Sequence, residues 1–405
     1  MSSLDNPPAP RTRPKDRRAV TVLAASELFY RRGYQRVSVA EIARATNVGS
    51  SAIFRHFPRK TDLLLAATRR SLAVLSGILA DAMATDEDPA DRLPRLFPEL
   101  ARFALDYREA GVLWQREARV LEAPEQGIVR EDLWGIARAL TVVIRDHRPE
   151  LSEQDADLLS WCTLGAMVSV GFHSIDLPRE RYVELLIELM RALTDLELPA
   201  STPAQDAQPG VRVAASEESD PASRRDDLLT IATRMFAERG FDTVSVDDIG
   251  TAAGIAGPSI YSHFASKLDL LVATMRRGSE LLRTEAVDAL VSDGPPVSKL
   301  RRLTRSYLEF AMRERFLLRI VLSEVSRLDG ADENWARLRQ HEYIDTWTDL
   351  LLQARGGDAK AARIRVQAVL LVVNDAVQTP HLRVPPRFEE SMLLVSSALL
   401  GIDGS

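Results

Sequence analysis

One cysteine, Cys162, in 405 residues leaves no pair for an internal disulfide, and a lone thiol of this kind reads as an inert core residue. Aromatic side chains make up only 6% of the chain, and alternating strand patterns are nearly absent, so the expected fold class is all-α. No apolar run approaches the roughly eighteen residues of a membrane span and no signal peptide opens the chain, which sets the expectation of a cytoplasmic protein with no membrane partner. Histidine is also scarce: His56, His147, His173, His263, His341 and His381 stand without ligand or triad spacing. No glycine-rich phosphate loop follows a strand. Catalysis, a metal site and a cofactor are therefore not expected. With 27% charged and 45% hydrophobic residues, the composition is that of a soluble globular chain of two to four domains.

What the chain has is a repeat. Arg17 to Arg70 and Arg224 to Arg277 align without a gap at a constant offset, the signature of a duplication. Ala25, Phe29, Arg32-Gly33, Val37-Ser38-Val39, Ile42, Ala45, Ile53, His56-Phe57, Lys60 and Asp62-Leu63-Leu64 recur as Ala232, Phe236, Arg239-Gly240, Val244-Ser245-Val246, Ile249, Ala252, Ile260, His263-Phe264, Lys267 and Asp269-Leu270-Leu271. The match continues further on, where Leu93, Arg95-Leu96, Phe103-Ala104, Glu117 and Leu121 answer to Leu300, Arg302-Leu303, Phe310-Ala311, Glu324 and Leu328. A whole two-domain plan has been copied.

Each copy reads as three short helices and the start of a longer one. Val22, Ala25 and Phe29, like Leu229, Ala232 and Phe236, share one helix face, and Gly33 and Gly240 then end the helix. Ser38 with Glu41, and Ser245 with Asp248, have the spacing of a capping box that opens a second helix. Breaks at Asn47-Val48-Gly49 and Gly254-Ile255-Ala256-Gly257 precede a third, over Ser50 to Phe57 and Pro258 to Phe264. Pro258 suits a first helical position. Two short helices around a tight turn make a helix-turn-helix, whose second helix can enter a major groove, although a plain helical hairpin has the same pattern.

Ala25-Ser26-Glu27-Leu28-Phe29 with Arg32-Gly33-Tyr34, then Ser38-Val39-Ala40-Glu41-Ile42-Ala43, Val48, Ile53-Phe54-Arg55-His56-Phe57 and Lys60-Thr61-Asp62-Leu63-Leu64 resemble the N-terminal domain of TetR-family repressors. The second copy, with Ile260-Tyr261-Ser262-His263-Phe264 and Lys267-Leu268-Asp269-Leu270-Leu271, resembles it equally well. The two motifs cover about a quarter of the chain. The resemblance implies a double-stranded DNA operator as partner, and an apolar small-molecule effector enclosed by a C-terminal bundle whose last two helices pair with a second subunit. It also implies phosphate contacts at Tyr261, His263 and Lys267 and a base contact at Ser259. The first copy departs from this pattern, with Ala52 and Phe54 in place of the serine and tyrosine, but keeps Arg55, His56 and Lys60. The second departs at Ala256, Gly257 and Pro258. The candidate DNA-binding set is Ser38, Ser50, Ser51, Ala52, Phe54, Arg55, His56 and Lys60 in the first reader, and Ser245, Gly257, Ser259, Tyr261, His263 and Lys267 in the second. Ala52 can touch a thymine methyl.

The readers differ in charge. The first carries a balance of about plus eight, while Asp226, Asp227, Glu238, Asp242, Asp247, Asp248 and Asp269 bring the second near neutral. Phosphate neutralisation supplies most nonspecific DNA affinity, so the first is expected to dominate.

The expected organisation is a basic disordered arm over 1–18, a first helix-turn-helix domain over 19–70 and a first ligand and dimerisation bundle over 71–197. A Pro-, Ser- and Asp/Glu-rich linker over 198–221, a second helix-turn-helix domain over 222–277 and a second bundle over 278–405 follow. The arm, with Arg11, Arg13, Lys15, Arg17 and Arg18, has the composition to reach a minor groove or simply to solubilise. Trp114, Trp161 and His173 in the first half, with Tyr343, Trp347 and Asn374 in the second, are candidate ligand-binding residues. Leu158 to Phe172 and Tyr182 to Leu193 are expected to pack on Ile364 to Val377 and Phe388 to Leu400 as an intramolecular pseudo-dimer; a homodimer with four readers is the alternative. The function expected is a DNA-binding transcriptional regulator, a repressor released by a small apolar effector. The alternative is a regulator in which only the first reader binds DNA and the second half is a scaffold or protein-interaction module.

Overall fold

A computed structural model describes residues 14–85, 88–199, 221–255, 257–328, 330–383 and 387–402, and no strand occurs among them. The first half runs α1 (Pro14–Arg32), α2 (Val39–Thr46), α3 (Ser50–His56), α4 (Lys60–Met83), α5 (Pro89–Asp106), α6 (Glu109–Gln115), a 3₁₀ turn (Glu117–Val120), α7 (Ala123–His147), α8 (Glu153–Val168), a 3₁₀ turn (Ser169–Phe172) and α9 (Arg179–Thr194). The second half repeats the order as α10 (Pro221–Arg239), α11 (Val246–Ala252), α12 (Gly257–Ile260), α13 (Lys267–Val291), α14 (Pro296–Arg313), α15 (Arg315–Glu324), a 3₁₀ turn (Val325–Arg327), α16 (Gly330–Arg355), α17 (Ala359–Gln378), a 3₁₀ turn (Pro380–Arg383) and α18 (Phe388–Leu400).

Local chemistry explains the boundaries. Both capping boxes form: Ser38 and Ser245 accept the N3 amides, and Glu41 and Asp248 reach back to the cap amides. Gly33 and Gly240 close α1 and α10 at φ 79° and 84°, where a Cβ would be strained. Two expectations about helix bounds are corrected. The helix expected from residue 19 begins at Pro14, a residue that tolerates a helix's first turn; the rest of the basic arm and nearly all of the linker lie outside the described residues. α6, α8 and α15 are each followed by a 3₁₀ turn, which tightens a helix end. The third helix of the second reader is one turn, α12, instead of running from Pro258 to Phe264. There His263 N–H bonds to Ile260 O at 2.8 Å and Ser262 N–H to Ser259 O at 3.3 Å, an i to i−3 pattern that winds the chain out of the α-helix.

α4 is long and apolar enough to cross a membrane by length and mean hydropathy. Arg69 and Arg70 interrupt it, however, and Leu63, Leu64, Ala67, Leu72, Leu75 and Leu79 are buried in protein. This is the behaviour of a core helix.

The chain divides into two compact units, and the division is not the one expected. The first holds residues 1–74 with 112–133, and the second holds 75–111 with 134–405. The first reader is therefore completed by the end of α6, the 3₁₀ turn after it and the start of α7. The same arrangement recurs inside the second unit, where Ile320 and Leu328, with Phe316, Val325 and Ala336, join the core of the second reader around Phe236, Ile249, Ile260 and Phe264.

The middle of the second unit is a group of four helices, two from each half. α8 packs on α9 and on α17, α17 packs on α18, and α18 packs on α9. α8 is buried almost continuously from Leu158 to Val168, and α17 from Ile364 to Val377. Helices apolar on most sides have to be covered from two directions, and each fully buried Leu, Ile or Val contributes about 1.5–3 kcal/mol. Arg365, 6% exposed, ties three of these helices: it bonds Glu188 of α9 at 2.5 Å and donates to the Leu399 carbonyl of α18 at 2.8 Å.

Candidate nucleic-acid interface

In the first reader α2 and α3 meet around the buried Ile42 and Ile53. Asn47, the one described non-glycine residue with positive φ, turns the chain between them at φ 53°, a conformation that asparagine tolerates. The outward face of α3 presents Ser51, Phe54, Arg55 and His56, with Phe54 47% exposed. Residues 51, 54 and 55 share one side at helical spacing. Ser50 and Ala52 are half-buried at its edges. Among the described residues Arg55 takes no ion-pair partner, so its guanidinium is available to a base or a phosphate.

Much of the remaining positive charge is engaged. Arg32 pairs with Glu41 at 2.6 Å and Arg69 with Asp132 at 2.8 Å. Arg59 gathers Asp62 at 2.7 Å, Glu122 at 3.4 Å and also Glu125. The Ser38 amide, with Arg32, holds the Glu41 carboxyl well down, at about 2. The count of plus eight therefore overstates what the surface offers: Glu122, Glu125 and Asp132, all beyond the window of the count, come back to neutralise it.

Lys60 has a structural task. Its Nζ donates to the Tyr34 carbonyl at 2.5 Å and lies 3.9 Å from the centre of the Tyr34 ring. Burial pushes its pKa down, opposed by Glu117 and Glu41. Lys267 repeats this, donating to the Phe241 and Val244 carbonyls at 2.7 Å each, 4.3 Å from the Phe241 ring centre. Ser38 and Ser245 are likewise occupied as caps. Arg18 over Phe57 at 5.0 Å is matched by Arg225 over Phe264 at 4.8 Å. The reader's turn is closed by Glu117, only 7% exposed, whose carboxylate accepts the Tyr34 amide at 2.8 Å and an Arg116 bond at 2.7 Å. Glu117 and its copy Glu324 belong to the repeat, but spacing does not reveal the task of Glu117, because the Tyr34 amide lies 83 residues away in the chain.

The second reader exposes Ser259 and Tyr261, the latter by 55%, and leaves His263 half-buried; Gly257 opens α12. Asp242 is drawn to Arg327 at 2.7 Å, and Arg327 also engages Glu324. A four-residue α12 carries fewer groove-facing positions than α3.

The six candidate ligand residues have different neighbours. Trp114 is buried in the first unit. Trp161 belongs to an aromatic group with Trp134 and His381, whose Nε2 is 3.0 Å from Asp157. His173 stacks on Tyr182. Tyr343, Trp347 and Asn374 are brought together around Tyr307, which the sequence did not single out: its hydroxyl donates to Asn374 Oδ1 at 2.7 Å, and the Tyr343 and Trp347 rings lie 6.0 and 5.8 Å from its own. Burial raises the pKa of both tyrosines. Cys162 is buried, and burial raises its thiol pKa.

His173 carries a pH prediction. Burial first, then Arg108 and Arg363, hold its imidazole down from 6.5 to about 3. Above about pH 6.5 neither folded nor unfolded chain holds this proton. Below it the unfolded chain gains the proton and the folded one does not, so stability is lost towards pH 3 at ~1.4 kcal/mol per unit. His173→Gln should flatten the pH dependence of the urea midpoint in that window; an unchanged slope counts against the assignment.

Residues 22–67 and 228–274 both match the family described as bacterial regulatory proteins, tetR family. The chain is similar to the transcriptional repressor KstR2 of Mycolicibacterium smegmatis, 29% identical over 40% of this chain and 80% of that protein. It is also similar to KstR2 of Mycobacterium tuberculosis, 32% identical over 32% of this chain and 66% of that protein, and to the transcriptional activator FasR of M. smegmatis, 27% identical over 38% and 70%. Among solved structures, that of the ketosteroid transcriptional regulator KstR2 of M. tuberculosis aligns with a TM-score of 0.40 at 26% identity, over 47% of this chain and 97% of that one.

Proposed function

Because this chain is a TetR-family protein with two family units in tandem, a DNA-binding transcriptional regulator of the repressor type, we propose a division of labour between its readers. The first binds the operator through Ser51, Ala52, Phe54 and Arg55 of α3, flanked by Ser50 and His56. Lys60 braces the turn between α1 and α2 and turns any remaining donor towards a phosphate. The second adds backbone contacts from Ser259, Tyr261 and His263, with Gly257 allowing close approach and Lys267 again as brace. The observation that carries this is Arg55, exposed on α3 without an ion-pair partner among the described residues. The two halves act as each other's dimer partner through α8, α9, α17 and α18, so one chain presents two unlike readers. The effector is a small apolar molecule with one hydrogen-bonding group, held in the second half near Tyr307, Tyr343, Trp347 and Asn374. It acts by favouring a bundle state in which the readers no longer fit one duplex.

A second reading, in which only the first reader touches DNA, is favoured by the single turn of α12 and by the Asp242 to Arg327 pair beside it.

Genomic selection followed by footprinting tests the proposal. The purified chain should protect one defined operator, asymmetric in sequence. Its affinity should fall steeply with salt, roughly a thousandfold between 50 and 200 mM if about six phosphates are contacted. Binding no tighter than to random duplex sinks the reading, and a footprint confined to one half-site selects the second one.

A further inference from the structure

The packing between the two halves is unequal on its two sides. The caps set the register: Ser152 accepts the Asp155 amide at the start of α8, and Asp358 accepts the Ala361 amide at the start of α17. Aligned from these caps, Ala156, Leu158, Leu159 and Ser160 fall on Ala362, Ile364, Arg365 and Val366, all buried, and the half-buried Trp161 falls on Gln367. The same register puts Tyr182, Leu185, Leu186 and Leu189 of α9 on Phe388, Ser391, Met392 and Val395 of α18, again all buried. It is one position out from the register that aligns the readers, so only the caps reveal which residues correspond.

In this register Gly165 corresponds to Leu371, and Ala166 to Val372. Gly165 is the point of close approach: a Cβ there would lie 3.2 Å from Val372 Cγ2 and 3.6 Å from the Val372 Cα. The first half thus offers two small residues where the second offers two large ones. The ion pair is one-sided in the same way. Arg365 and Glu188 meet across the halves, whereas their counterparts are Leu159 and Leu394. His381 and Asp157 also meet across the halves, and their counterparts are Ile175 and Arg363.

We propose that these differences make the pairing selective: the two halves fit each other and neither fits a copy of itself. This rests on the intramolecular pairing proposed above. Two second halves would press Leu371-Val372 against its own copy at a helix spacing set for glycine, and would bury Arg365 opposite Leu394 with no carboxylate. Two first halves would leave a void at Gly165-Ala166 and set Glu188 against Leu159. A second chain is thereby denied a like-with-like partner surface, in the way that specificity arises from clashes as well as contacts.

A size-swap cycle in the full chain tests this. Gly165→Val alone should lower the thermal midpoint by overpacking, and Val372→Gly alone by leaving a void. The double variant, which only reverses the two sizes, should recover most of the summed loss. Additive losses, or single variants as stable as the parent, overturn the proposal. Pair composition is read separately. A chain with a protease site inside residues 200–220 is cut in its native state, unfolded, refolded and weighed by native mass spectrometry. Unlike pairs are expected, and like pairs overturn the proposal. The mass of the uncut chain by light scattering tests the earlier reading on its own. One chain of 45.0 kDa supports the intramolecular pairing; a two-chain particle removes that pairing but leaves unlike pairing of the fragments standing.

Discussion

Arg55→Ala is expected to lower operator affinity by roughly ten- to a hundredfold with no change in the thermal midpoint. A well-placed guanidinium on a base edge is worth about 1–3 kcal/mol, and Arg55 makes no ion pair among the described residues whose loss would disturb the fold. The titration should be run at two salt concentrations. If Arg55 reads a base, its loss relaxes sequence preference; if it neutralises a phosphate, the salt slope falls by about one and the preference stays. An affinity within twofold of the parent would show that α3 does not face the duplex.

The second large effect contrasts Lys60 with Lys267. Both ammonium groups hold carbonyls in the turn between the first two helices of a reader, and both lie over an aromatic ring. A hydrogen bond from a charged donor is worth about 1.5–3 kcal/mol. Lys60→Met and Lys267→Met should therefore cost similar stability, about 2 kcal/mol each by urea unfolding. Their effects on DNA should differ: Lys60→Met loosens the reader that carries Arg55 and should reduce operator affinity about tenfold or more, while Lys267→Met changes it little. Equal losses of affinity would mean that both readers carry the operator alike.

These expectations show which parts of the molecule the sequence announces. Capping boxes, glycine stops and buried helix faces depend on residues within a few positions of one another, so α2, α11, α13 and α17 could be placed from spacing alone. The candidate site was less legible because its electrostatics are settled at long range. Arg59 is matched by Glu122 and Glu125, and the Tyr34 amide by Glu117, partners that no local window contains. The shortness of α12 was missed for a different reason. Pro258 fits a helix start, but nothing in the spacing reveals that the chain tightens immediately afterwards through Ser262 and His263. In the bundle, Trp347 and Asn374 were found by residue type, whereas Tyr307, which joins them, looked like one more apolar position on α14.

The first compact unit, built from residues 1–74 and 112–133, bears on how such a chain can arise. A DNA reader closed by a glutamate from a later segment is not a contiguous cassette. A gene fragment ending after α4 would carry Tyr34 without Glu117, and Arg59 with Asp62 but without Glu122 or Glu125, leaving a turn amide without its acceptor and a guanidinium with one of its three carboxylates. Recombination that moved only the reader would deliver an incomplete part. Copying the whole plan, as the shared positions from Leu93 to Leu121 and from Leu300 to Leu328 record, delivered the second reader together with Glu324 and the segment that seats it.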